Sequence, residues 1–376
     1  MRKAPRTHWP ELALAGLSFV LVFAALEIGV RLRLRPRIRA ALPHVGLGVQ
    51  DHNRLRWLER HATSDASERG DGLRFDQPDR LLGWAPIPNL DRRRTVPGRF
   101  DVTIHTTADG IRGPTSVPRT RVPGRTRIAV FGCSQTFGAE VEDGETYAAR
   151  LQDLLVDTEV LNFGVHGFGT DQMLLRWERD GVPFQPDVVI VGFAYYHMQR
   201  NLDDFRFFAK PRFTLEPDGL RLVGVPVPTP DEYVATAVAP RVSGLLDRSV
   251  LLRWAWKRLL RFQEGRLYAV DSSGWVLTRA LLDRFIREVH EHGARFVLLN
   301  IEGRAPQLQP ALAEVARADG ALFVNAGRTL GNLRGQGQRL RVRGDPHWGA
   351  EGHATIARDL AQALCAQEVI PAQACP

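Results

Sequence analysis

Lysine, methionine and cysteine are nearly missing from this sequence of 376 residues, which has three of each. Three cysteines are too few for a disulfide framework, so the fold has to rest on an apolar core. Hydrophobic residues make up 44% and charged residues 24%, an ordinary balance for a chain long enough to form one large domain or two smaller ones. With lysine confined to Lys3, Lys210 and Lys257, the basic side chains are almost all arginine, a composition bias with no mechanism attached. Internal repeats and low-complexity segments are lacking as well.

The net charge of +8 suggests a nucleic-acid partner until it is located along the chain. Residues 1–40 hold eight Arg or Lys against two Glu, and the remaining 336 residues hold 42 against 40. The main body is therefore close to neutral, and no nucleic-acid partner is expected of it.

One long apolar run is present, Leu12 to Val30, LALAGLSFVLVFAALEIGV, broken only by Glu27. As a helix it spans about 28 Å at roughly 1.5 Å per residue, close to the hydrocarbon thickness of a bilayer. Arg2, Lys3 and Arg6 before it also suit a cleaved signal peptide. Phe23, however, breaks the small-x-small pattern at Ala25, and the apolar run continues past it, which favours a retained anchor. Arg31, Arg33, Arg35, Arg37 and Arg39 follow the run. By charge alone that side stays in the cytoplasm, although long following domains translocate largely regardless of such charge.

The chain divides into a membrane anchor with its basic flank (1–40), a lead-in with short strands and no sustained helical period (41–126), an α/β domain (127–366) and a C-terminal tail (367–376). Short β-rich runs at Arg127–Phe131, Glu159–Asn162, Asp187–Phe193, Arg295–Asn300 and Ala321–Val324 read as buried parallel strands. Helical patterns fall between and after them at Glu145–Val156, Asp171–Arg179, Trp275–His292, Gln307–Ala318 and Glu351–Ala366, with Gly181, Gly293 and Gly320 as stops. This alternation predicts a parallel sheet covered by helices on both faces, a three-layer α/β/α architecture. It breaks at about 202–274, where a Pro-rich stretch from Pro211 to Pro240 and an Arg- and Trp-rich helix around Leu251–Phe262 form an insertion.

Ligands of such sheets bind beyond the carboxyl ends of the strands. The first strand runs into Gly132-Cys133-Ser134, where a serine hydroxyl stands at the mouth of the sheet. The second runs into Asn162-Phe163-Gly164-Val165-His166-Gly167-Phe168-Gly169. These glycines allow close backbone approach and an N–H aimed at an oxyanion, although taken alone they suit a plain tight strand-to-helix loop better. The third runs into Tyr195-Tyr196-His197-Met198-Gln199-Arg200-Asn201. Far downstream, GDPHWGAEGH (344–353) supplies Asp345 and His347 just before the last helix. Nucleophile, base and orienting acid are then all available.

Cys133 beside the serine reads as a small buried thiol, with a cysteine nucleophile as the weaker alternative. Cys365 and Cys375 either close a short loop or remain two thiols. His290 and His292, on a helical segment, read as solvated residues, and no metal site or cofactor is expected.

On these blocks the chain resembles the SGNH, or GDSL-like, hydrolases, in particular membrane-anchored bacterial members. GCSQTFG matches the first block with Cys133 in place of the usual aspartate, Asn162, Gly164 and Gly167 match the second, and the D-x-H-W form matches the last. The resemblance covers roughly Asp109 to Ala366, including the DGIRG lead-in at Asp109–Gly113. It implies a flavodoxin-like fold with Ser134 as nucleophile, His347 as base, Asp345 as acid and Gly167 as an oxyanion donor. The third block departs from the family's Gly-Asn-Asp, leaving Tyr196, His197 or the nearby Asn201 to help at the oxyanion. The resemblance also implies acyl, above all acetyl, esters of cell-envelope or exported carbohydrate as substrates, cleaved by water or passed to a sugar hydroxyl. It further implies an inner-membrane anchor with the body outside the cytoplasm. A tethered carbohydrate-binding module with an eroded site is the rival, and Trp254, Trp256 and Tyr268 suit either sugar stacking or a core.

Overall fold

The computed structural model describes residues 9–36, 38, 42–63, 75–239, 244 and 246–375. The basic residues Arg2, Lys3, Arg6, Arg37 and Arg39, with Pro240 of the Pro-rich stretch, lie outside the described residues.

The chain falls into two compact units, one comprising the described residues up to Leu58 with Val238–Glu264, the other Glu59–Ala237 with Gly265–Pro376. In the first unit the apolar run forms a helix, Trp9–Arg33, in which no residue from Leu14 to Arg33 is fully buried. Its length and composition suffice to cross a membrane. Glu27, the single interruption, has a structural partner. Its carboxylate accepts hydrogen bonds from the backbone N–H groups of Val250 (2.9 Å) and Leu251 (2.8 Å), from the Ser249 hydroxyl (2.8 Å) and from Arg31 (2.5 Å). An acidic side chain at the first turn of the Val250–Leu267 helix satisfies donors that have no partner within the helix.

The second unit is built on a parallel sheet of five strands: β5 (Thr126–Gly132), β6 (Thr158–Gly164), β7 (Val188–Phe193), β10 (Arg295–Asn300) and β11 (Leu322–Val324). They lie in the order β11-β10-β7-β5-β6, the flavodoxin-like 2-1-3-4-5 arrangement, whose switch point falls at β5. Alternate side chains of β5 serve the two faces. Ile128 and Val130 pack with the Tyr147–Leu154 and Ala350–Ala366 helices. Phe131 on the other face meets Trp177 at 6.0 Å and Phe285 at 6.1 Å between ring centres. β7 is buried along its whole length, as a central parallel strand with both faces covered must be.

The lead-in holds two antiparallel hairpins, β1 (Asp76–Asp79) with β2 (Gly83–Pro86) and β3 (Asp91–Val96) with β4 (Phe100–His105). It also holds a helix, Val49–Thr63, against the expectation of no helical period; Leu55 and Trp57 are its buried hydrophobic residues. Within the expected insertion, β8 (Arg212–Glu216) and β9 (Gly219–Val223) form a third hairpin. Gly181 is no helix stop, because the chain continues helically through it into Val182–Phe184. Gly293 and Gly320 do end helices, at φ 77° and 69°. Cys365 and Cys375 form a disulfide across ten residues.

The last helix is keyed to the start of the Tyr147–Leu154 helix by His353. Its ring is 1% exposed and its Nδ1 accepts the Tyr147 N–H at 3.1 Å, a bond that requires a neutral nitrogen. Burial first, then the charge of Arg112, pushes the His353 pKa down to about 3. The unfolded chain therefore takes up this proton first as the pH falls. Stability from the neutral ring is intact above about pH 6.5 and is lost on the way down towards pH 3, at up to about 1.4 kcal/mol per unit. We predict that denaturant midpoints between pH 7 and 4 fall more steeply for the wild type than for His353→Gln; equal slopes would contradict this.

Candidate active site

Ser134 opens a one-turn helix, Ser134–Phe137, directly after β5, with Cys133 as its extended N-cap at φ −97° and ψ −156°. The turn is tight. A Cβ on Gly132 would lie 1.8 Å from Thr136 Oγ1, and Thr136 is held there by a 2.8 Å hydrogen bond with the Tyr147 hydroxyl. Asn162, at the end of β6, donates its side-chain amide to the Thr136 carbonyl and accepts the Gly164 N–H. Arg112 of the DGIRG lead-in is buried and donates to the carbonyls of Phe137 and Val141, so the segment behind the serine is tied on both sides. Burial holds its pKa down to about 10.

His347 reaches this turn from the loop before the last helix. Its Nε2 lies 2.9 Å from Ser134 Oγ, and its Nδ1 lies 2.6 Å from Asp345 Oδ1, which also accepts the His347 backbone N–H at 3.0 Å. Burial alone would raise the Asp345 pKa, but the two His347 hydrogen bonds outweigh it and the net shift is downward. The carboxylate is thus kept ionised beside the imidazole. Ser134, His347 and Asp345 form one hydrogen-bonded series in which the ring can accept the serine proton while the acid stabilises the resulting charge.

Two supports were not legible in the sequence. Gln135, next to the serine, donates to the Pro346 carbonyl (3.2 Å) and accepts the Trp348 N–H (3.1 Å), gripping the residues on either side of His347. Glu140 brings Oε1 to 3.4 Å from His347 Nδ1 and takes a 2.8 Å hydrogen bond from Arg94. Glu140, Asp345 and His347 are close enough together to hold a cation. The same atoms, however, are already engaged in the imidazole and guanidinium contacts just given.

Of the expected oxyanion residues, Gly167 and Tyr196 line the cleft that holds Ser134 and His347. Gly167 has φ 72°, a conformation that disfavours a side chain. The Tyr196 hydroxyl lies 3.6 Å from Cys133 Sγ, and burial first, then Cys133, raises its pKa well above the ordinary value. Asn201 is a correction. It is fully buried, its oxygen accepts the Asp171 N–H and its amide donates to Thr278, so the amide is not offered to a substrate. His197 is a second correction: its buried ring packs edge-on against Phe193, its Nδ1 takes the Ala194 N–H, and it lies outside the cleft lining. Cys133 is fully buried behind the serine, as expected of a small thiol.

Beyond Gln135 and Pro346, the remaining cleft wall consists of Tyr195, Gln199, Arg200, Arg206, Phe207, Glu302, Arg304 and Arg341, around a volume of about 350 Å³. Tyr268 stands edge-on to Tyr195 at 4.8 Å and donates to Gln199. Trp254 and Trp256 belong to the other unit, where Trp256 donates to the Leu47 carbonyl and Trp254 stacks under Arg258.

No family model matches the chain, and no curated protein matches it. Among solved structures, it is similar to a catalytic mutant of Axe2, an acetylxylan esterase from Geobacillus stearothermophilus, at 16% identity and a TM-score of 0.40, covering 65% of this chain and 96% of that one. It is also similar to LAE5, an alpha/beta hydrolase enzyme from the metagenome of Lake Arreo, Spain, at 15% identity and a TM-score of 0.38, covering 63% and 94%.

The contact at Gly132 gives a direct test of the turn. Gly132→Ala is expected to cost about 1–3 kcal/mol by overpacking against Thr136. Thr136→Ala in that background, by deleting the Oγ1 that lies 1.8 Å from the added Cβ, is expected to recover part of it in thermal melts.

Proposed function

We propose that this protein is a membrane-anchored serine esterase or O-acyltransferase of the SGNH type. Its substrates are acyl, above all acetyl, esters of cell-envelope or exported carbohydrate. The observation that carries the reading is the Ser134–His347–Asp345 series, with a 2.9 Å approach at the nucleophile and a 2.6 Å approach at the acid. The matching GCSQTFG, Asn-x-Gly-x-x-Gly and D-x-H-W blocks support the family assignment and, through it, the carbohydrate ester.

In this reading His347 Nε2 takes the proton of Ser134 as Oγ bonds to the ester carbonyl carbon. The negative oxygen is met by the N–H groups of Ser134 and Gly167, with the Tyr196 hydroxyl at the same wall. Protonated His347 passes its proton to the departing alcohol, leaving an acyl serine. Water or a sugar hydroxyl, deprotonated by His347, then takes the acyl group and frees Ser134. The family's asparagine donor has no counterpart, and a missing donor of this kind typically costs about 100- to 1000-fold in turnover. A slow enzyme on a reactive acetyl group fits that arrangement.

The Leu14–Arg33 helix supports an anchor, although a signal sequence meets the same description, and the Cys365–Cys375 disulfide supports an exported body. We predict that purified protein is labelled by a fluorophosphonate ester, that Ser134→Ala is not labelled, and that Asp345→Asn lowers hydrolysis of a small acetyl ester by about 10⁴-fold. Unlabelled wild type under conditions where a related esterase reacts would favour the tethered binding module instead. For topology, alkaline phosphatase fused after the C-terminus should be active; activity only of a cytoplasmic reporter at that position would overturn the exported placement.

A further inference from the structure

The cleft around Ser134 is unusually cationic. Four guanidinium groups, those of Arg200, Arg206, Arg304 and Arg341, line it against one carboxylate outside the catalytic series, that of Glu302. That carboxylate is taken. Arg341 Nη2 donates to both Glu302 oxygens at 2.9 Å, and its guanidinium lies 3.6 Å above the Trp348 ring. Arg200 donates to the Phe168 carbonyl at 2.9 Å and lies 4.3 Å over the Tyr196 ring. Arg304 stands exposed on the wall.

Arg206 differs from these three. Its Nε has no contact with solvent and no hydrogen-bond partner among the described residues, as is also true of the Arg200 and Arg341 Nε; unlike those two, it makes no hydrogen bond through its terminal nitrogens to any described residue, and its guanidinium rests beside the Phe207 ring at 5.4 Å. Asp203 acts on it only through space, and the positive charge of Arg200 opposes it. The side chain is fixed next to the reacting groups, since its Nε would stand 3.2 Å from a Cβ on Gly167, the glycine expected at the oxyanion. The loop carrying it is itself anchored. Lys210, the one buried lysine among the described residues, forms an ion pair with Asp171 and donates to the carbonyls of Arg200 and Asp203.

A half-buried guanidinium whose Nε is shut off from water without an acceptor is held at a cost, and its planar fork of donors matches a carboxylate or phosphate. An active-site wall that keeps such a group unpaired is suited to a ligand that brings the anion. We propose that the cleft takes an ester whose sugar portion carries an anionic group close to the acylated hydroxyl, a carboxylate-bearing saccharide foremost, with Arg206 as the anion-binding residue and Arg200 and Arg304 reinforcing the field. The proposal rests on the esterase reading and deepens it.

The test uses the full chain in lipid nanodiscs as Ser134→Ala, so that binding is read without turnover. Calorimetry compares a trigalacturonate with neutral xylotriose and with a phosphorylated trisaccharide, at fixed ionic strength. At least tenfold tighter binding of the trigalacturonate than of xylotriose is expected. Arg206→Gln should remove most of that preference, and Arg206→Lys, which keeps the charge, should retain part of it with the fold intact by thermal melting. The phosphorylated sugar binding tightest would still support an anion site while reassigning the anion. Equal affinity for charged and neutral saccharides, or a preference that survives Arg206→Gln, overturns the proposal. Anion preference in a protein whose wild type cleaves no ester would sink the esterase reading alone; cleavage without preference would sink this inference alone.

Discussion

The site depends on one side chain that does no chemistry: Gln135 fastens the loop carrying His347 to the turn carrying Ser134, two segments separated by 213 positions along the chain. Its amide reaches Pro346 and its oxygen takes the Trp348 N–H, so the backbone on both sides of the imidazole is registered against the turn that carries Ser134. A ring positioned by its own backbone loses little freedom on accepting a proton, which is the geometric requirement for a general base. The turn in turn is fixed by the sheet, because β5 lies at the switch point where the crevice opens.

Around this crevice the chain uses arginine as internal scaffolding, which gives structural content to a bias that the sequence alone leaves unexplained. Arg176 is buried and donates to the carbonyls of Gly110, Phe163 and Gly164, joining the DGIRG lead-in to the end of β6. Arg112 does the same for the segment after Ser134. Arg127 closes on Glu159 and on the carbonyls of Arg119 and Phe184. A guanidinium offers five donors in a fixed plane and so can satisfy several buried carbonyls that a single ammonium could not reach together. Against these three, whose guanidinium groups hold buried carbonyls or a carboxylate, Arg206 gives no side-chain hydrogen bond to any described residue.

How far the fold could be read from sequence follows from burial. The five parallel strands are continuous apolar runs bounded by turns, so their positions were legible to within a residue or two; Arg295–Asn300 coincides with β10. The β8–β9 hairpin was not legible, because its residues other than Phe213 are partly buried or exposed and carry no continuous apolar pattern, and the Ala326–Gly335 helix was hidden by its three glycines. In the site, Ser134, Asp345 and His347 could be found because each sits in a block with fixed spacing. Asn201 and His197 were misjudged because they lie on a one-and-a-half-turn helix, His197–Leu202, whose facing is decided by packing: Tyr196 and Arg200 face the cleft, while Asn201 turns inward to Asp171 and Thr278. Gln135 and Glu140 left no trace, since a polar residue near a serine announces nothing until the distant loop arrives.

The most direct test of this account is a crystal structure of the protein after reaction with a phosphonate ester. The account predicts a covalent bond from phosphorus to Ser134 Oγ, with His347 Nε2 within about 2.6–3.2 Å of that oxygen or of the leaving-group position, and Asp345 still bonded to the ring. An unmodified Ser134, or an adduct with His347 turned away on a loop that Gln135 no longer holds, would contradict it.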